Sequence, residues 1–172
     1  IRCAYDLVKG FFGADEALAL KEAEEIPKYA QEIIKRMKDY RIMAFDIEVD
    51  ARGSFPQLGS RILSISYVTL ALGESVEPKE LADRVVVIEG KDNPSIVGAF
   101  LNVLEKEKPD FLVGYNSIEF DMKFIQYEIQ KKLAELMGEQ IEPSKVKVNR
   151  YMQISTGFIP HIDLFMVLDN LR

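Results

Sequence analysis

The sequence predicts an α/β domain built on a mixed sheet, and two observations carry that reading. Three strand-like stretches follow one another, "RIMAFDIEV", "RILSISYVTL" and "RVVVIEG". A helix, a strand and a second helix come next, in "NPSIVGAFLNVLEKEK", "DFLVGYN" and the residues after it. Strands that first run together and then alternate with helices make a mixed sheet with helices packed on it.

Each element has its own signal. From Asp15 to Tyr40 the spacing is helical: Ala30, Ile33, Ile34 and Met37 fall on one face with charges between them. Pro27 suits a first turn and divides that stretch in two. The first strand is followed by a polar connection, "DARGSFPQLGS", rich in turn residues. The helix after the third strand is marked by Pro94 near its start and by Ile96, Phe100, Val103 and Leu104 along one face. "DFLVGYN" is a strand ending in a turn, and the next helix carries Phe120, Phe124, Tyr127 and Leu133. "EPSKVKVNRYMQISTGFIP" is polar and irregular with the look of a hairpin, and "HIDLFMVL" reads as a strand or a strand passing into a helix.

Composition sets outer limits. With 172 residues the chain is the size of one ordinary domain, and its apolar and charged fractions are those of a globular protein. No apolar run approaches the roughly 20 residues a bilayer span needs, so no membrane partner is expected. The sole cysteine, Cys3, cannot form an internal disulfide, which points to a reducing, cytoplasmic setting. The net charge of −6 argues mildly against general affinity for nucleic acid. The chain opens at Ile1 rather than Met and stops at Arg172 just after an apolar run, and the expectation is a piece of something larger.

The chemistry lies in "MAFDIEVD". Residues two apart on a strand share a face, so Asp46 and Glu48 lie side by side while Ile47 turns into the core. Carboxylates that close repel unless a proton or a cation stands between them. Oxygen-only ligands suit a hard cation such as Mg²⁺ or Mn²⁺. The plainer reading is a solvated strand end. A second cluster, "VGYNSIEFDMKFI", puts Asn116 in a turn and Asp121 in the first turn of the next helix. Here the plain reading is a helix capped by Asn116 or Ser117, with an acid suited to the dipole.

Taken together, the two clusters resemble the exonuclease domain of family B DNA polymerases, particularly the archaeal ones. "FDIE" is similar to the first exonuclease motif of that family and "YNSIEFD" to the second. "ILSISY", "KPDFLVGYN" and "HIDL" match its flanking pattern, and the likeness runs from about Arg41 to Leu171. The resemblance implies a ribonuclease H-like fold and removal of mispaired nucleotides from a DNA 3′ end by a two-metal site. It implies that Asp46 bridges the metals, that Glu48 binds one and orients the water, and that Asp121 binds the second. Their carboxyl groups should therefore lie within reach of a shared cation. Asn116 and Phe120 would position the frayed single strand, and the polymerase and N-terminal domains of the parent chain would be partners. Residues 1–40 would join the exonuclease domain, 41–172, to a preceding domain.

The third motif of the family, Tyr-x-x-x-Asp, is expected beyond "HIDL" and does not occur before Arg172. Weak metal binding and weak or absent cleavage are expected of these residues alone. "FMVLD" offers Phe165 and Asp169 as a near miss, read as an ordinary helix start. Asp163 and His161 read as structural, and Glu119 and Asp50 as solvent-facing. The rival reading from another class keeps the fold without the chemistry, as a nucleic-acid-binding or scaffold domain. A stand-alone nuclease of the same superfamily is a third.

Overall fold

The computed structural model describes residues 40–51, 55–72, 74 and 76–169. The chain divides into two units, Ile1–Asp39 and Tyr40–Arg172, and every described residue belongs to the second. The helical stretch expected from Asp15 onward, with Pro27 and Cys3, therefore lies outside the described residues, apart from Tyr40 at its end.

Strand β1 (Arg41–Val49) is the hub of a six-stranded sheet. It pairs antiparallel with β2 (Ile62–Ala71), which pairs antiparallel with β3 (Val86–Glu89). On its other side β1 runs parallel to β4 (Phe111–Gly114), and β4 runs parallel to β6 (Gly157–Asp163). A hairpin joins β6 to β5 (Tyr151–Ile154), giving the order β3-β2-β1-β4-β6-β5. The expected hairpin is thus present, and "HIDL" closes β6 and opens helix α4 (Leu164–Asp169). This is the α/β architecture on a mixed sheet that the sequence predicts.

Alternation explains which face is covered. Met43, Phe45 and Ile47 of β1 are buried, and beside them lie Ile62, Ile65 and Tyr67 of β2, Leu112 of β4 and Ile159 of β6. Two helices cover that face. Helix α2 (Asn93–Glu107) contributes Ile96, Val97, Phe100 and Leu104, and α3 (Asp121–Leu136) contributes Met122, Phe124 and Ile125. α2 starts where the sequence says it should. Asp92 accepts from Ser95 N–H at 2.9 Å, the Ser95 hydroxyl answers Asp92 N–H at 3.2 Å, and Pro94 sits in the first turn.

Sequence reading missed one helix, α1 (Pro78–Arg84). It has a proline at its start, Glu80 in its first turn and Arg84 in its last. No residue of it is buried, so it shows no apolar period to read.

Candidate active site

The strand pattern puts Asp46 and Glu48 on the face of β1 opposite the helices, exposed, with Ile47 buried between them. Opposite them on β2 stand Ser66 and Ser64. Small side chains there leave the two carboxylates open to solvent. The register shifts between Glu48 and Val49, an irregularity of the kind that re-aims side chains at a sheet edge.

Parallel strands bring the second cluster to the same end. β1 and β4 part after Ala44 and Val113, and Gly114 is level with Asp163 of β6. Beyond these last pairs lie Asp46 of β1 and Asn116 after β4, and β6 ends at Asp163. Ligands gather at the carboxyl ends of parallel strands because the chain turns away there and leaves a crevice.

Asp121 occupies the first position of α3 and is almost fully buried. Its Oδ1 accepts from Ile47 N–H at 2.8 Å, so the carboxylate is docked on β1 between the two exposed acids. Burial pushes its pKa up to about 7. The Ile47 N–H and its own N–H oppose the rise, while the charges of Asp46 and Asp163 add to it. A neighbouring cation would relieve both the burial and the repulsion. In donor chemistry the three carboxylates fit a hard divalent ion.

The three acids do not yet form a closed ligand set. Among the described residues no three His, Cys, Asp or Glu side chains are grouped closely enough to hold a metal ion. The expectation of a shared cation within reach of all three is therefore not met in this geometry. Asp121 turns an oxygen onto Ile47 N–H, whereas Asp46 and Glu48 stand out from the sheet.

The capping reading of the second cluster also needs correction. The residue that caps α3 is Phe120, with no side-chain cap bond. Asn116 is instead exposed and left-handed, with φ 54°, which asparagine tolerates better than most residues. Ser117 is fully buried and bonds to His161 Nε2 at 2.9 Å. Phe120 is half-buried, tilted against Phe124 at 5.0 Å and edge-on to Phe55 at 6.3 Å. Phe55 is 74% exposed and was missed. An aromatic residue in the turn-rich segment directly after the acidic strand was the available signal.

Glu119 faces solvent as expected, paired with Lys123 at 2.5 Å. Asp50 is half-buried, in part open to solvent. Asp169 is exposed at the end of α4 and Phe165 is 45% exposed, away from the docked carboxylate of Asp121 in sequence and bonding. Asp163 and His161 are both buried. Burial pushes the His161 pKa down, with the Asp163 charge acting the other way.

Residues 17–172 match the family model described as DNA polymerase family B, exonuclease domain. The chain belongs to that family. A relative, the DNA polymerase catalytic subunit of Psittacid herpesvirus 1, is 26% identical over 143 residues, covering 72% of this chain and 13% of the relative. The structure of the family B DNA polymerase from the hyperthermophilic archaeon Pyrobaculum calidifontis is similar at 25% identity and a TM-score of 0.47. That likeness covers 76% of this chain and 16% of the polymerase. The family B exonuclease domain thus spans a small part of the length of the proteins it matches. Among the described residues no helix is long and apolar enough to cross a membrane.

Proposed function

We propose that this family B exonuclease domain is a proofreading 3′→5′ nuclease that removes terminal nucleotides from a frayed single strand of DNA, within a DNA polymerase chain. The observation that carries the reading is the docking of Asp121 on Ile47 N–H, between Asp46 and Glu48. The Ile47 N–H and its own N–H only partly offset the burial of this carboxyl and the charge of Asp46, and a bound cation would offset both.

Asp46, Glu48 and Asp121 are the residues that would hold Mg²⁺ or Mn²⁺. Bound there, such ions supply an acidified water and offset charge on the attacking and leaving oxygens. The chain's own groups do the rest. Glu48, free on the strand face, orients the water. Asn116 offers an exposed amide to the strand, and Phe120 with Phe55 offers aromatic rings on whose faces unpaired bases stack. A reducing cytoplasmic setting suits a sequence with Cys3 alone.

The open spacing of the acids favours the rival, a DNA-binding domain without catalysis. One experiment separates them. A 5′-labelled single strand is incubated with Mg²⁺ or Mn²⁺ and with the chain, or any longer form its gene encodes. Stepwise shortening from the 3′ end that disappears in Asp46→Ala is the expected result. Binding of the strand with no shortening in either metal would establish the rival.

A further inference from the structure

Asp163 enters the sequence reading as a strand acid with no task. In the fold its buried carboxylate collects three backbone N–H groups. Oδ1 accepts from Asn116 at 2.9 Å and from Phe165 at 3.0 Å, and Oδ2 accepts from Ile118 at 2.9 Å. Two of those donors lie in the loop that presents Asn116, and the third opens α4. Between the two, Ser117 is held by His161, two residues before Asp163 on the same strand. The carbonyl of Ser117 in turn accepts from Met122 N–H at 2.7 Å, inside the first turn of α3. Residues 116, 117 and 118 are thus each tied to the tip of β6, and through Ser117 to the helix that carries Asp121.

We propose that the tip of β6, chiefly Asp163 and secondarily His161, is the positioning element of the strand-binding loop. Asp163 is a positioning residue, its two oxygens already taken by three backbone N–H groups. It acts through the backbone of Asn116 and Ile118, fixing the left-handed turn that leaves the Asn116 side chain exposed. The inference rests on the reading of Asn116 as a DNA contact. The chemistry asks for a carboxylate. Three N–H donors converge on two oxygens, and an amide of the same shape would oppose one of them with its own N–H. Charge-assisted bonds from a buried acceptor are also the stronger kind.

The test compares Asp163→Asn with Glu105→Gln in the 172-residue chain. Glu105 is a matched control, because its carboxylate clamps Ser155 in the β5–β6 turn through the backbone and the hydroxyl. Two quantities are read: amide hydrogen exchange at Asn116 and Ile118, and affinity for a 5′-fluorescent oligothymidylate in chelator. Asp163→Asn should speed exchange at both amides and weaken oligonucleotide binding, each about tenfold. Glu105→Gln should leave both unchanged. Unchanged affinity in Asp163→Asn, or equal weakening in Glu105→Gln, overturns the inference. If Asp163→Asn does not fold, Ser117→Ala decides, with weaker binding of the same sign expected and unaltered binding counting against it. A parent chain that does not bind the oligonucleotide overturns the reading of Asn116 instead.

Discussion

At the scale of single residues, Asp121 and Asp46 make opposite demands on the fold. An unfolded aspartate titrates near ~3.9, whereas folded Asp121 is pushed up to about 7. The folded state therefore holds its proton across that window. Its contribution to stability is full below about 4, falls as pH rises, and is lost above about 7. Asp121→Asn keeps an oxygen for Ile47 N–H and carries no charge. In chelator at pH 8 it should be more stable by on the order of 2–4 kcal/mol. Its melting temperature should also lose the decline between pH 4 and 7. A variant whose profile runs parallel to the parent's would mean that burial of Asp121 is matched by its hydrogen bonds. Asp46 is exposed and faces Ser66, so it has no fold to hold together. Asp46→Ala should melt in chelator at the parent temperature or above, while nuclease activity falls to background. Were Asp46 a satisfied structural partner, its loss would lower stability by about 1–3 kcal/mol and spare activity.

At the scale of elements, the β4–α3 connection shows what sequence can and cannot reveal. A Cβ on Gly114 would stand 2.5 Å from Ser117 Cβ and closer still to its hydroxyl. Ser117 cannot move away, because His161 and Met122 hold it from both ends. Gly114→Ala should therefore destabilise the domain by about 1–3 kcal/mol, measured by urea unfolding. It should also weaken single-strand binding more than an equally destabilising change in the α2 core, such as Val97→Ala. β1 was legible to the residue because its period-two alternation is local. The start of α2 was equally legible, because Pro94 marks its first turn within the helix itself. The capping role of Asn116 was misread for the converse reason. Its conformation is set by Asp163, 47 positions away, through pairing of β4 with β6 that no local pattern encodes. α1 escaped notice because a helix that buries nothing leaves no period.

For the molecule as a whole, the decisive asymmetry lies between the two faces of the sheet. One is sealed by α2 and α3, and the other holds Asp46 and Glu48 out to solvent while Asp121, at the start of α3, bonds to Ile47 N–H of β1. Three acids on one rim are a charge concentration that hydrogen bonds relieve only at Asp121. A divalent ion that binds the folded chain and not the unfolded one stabilises it by mass action, about 2.7 kcal/mol at one hundred times its dissociation constant. Adding Mg²⁺ or Mn²⁺ should therefore raise the melting temperature at pH 8, where Asp121 is ionised. The rise should shrink near pH 5, where protons and metal compete for Asp121. Asp46→Ala should lose most of the rise at both pH values, and Glu119→Gln, at an exposed carboxylate paired with Lys123, should keep it. A longer form of the chain that includes a Tyr-x-x-x-Asp motif should reach the same rise at lower metal concentration, because a fourth carboxylate completes the donor set. A rise of equal size in Asp46→Ala would place the ion elsewhere and leave the three acids without a common task.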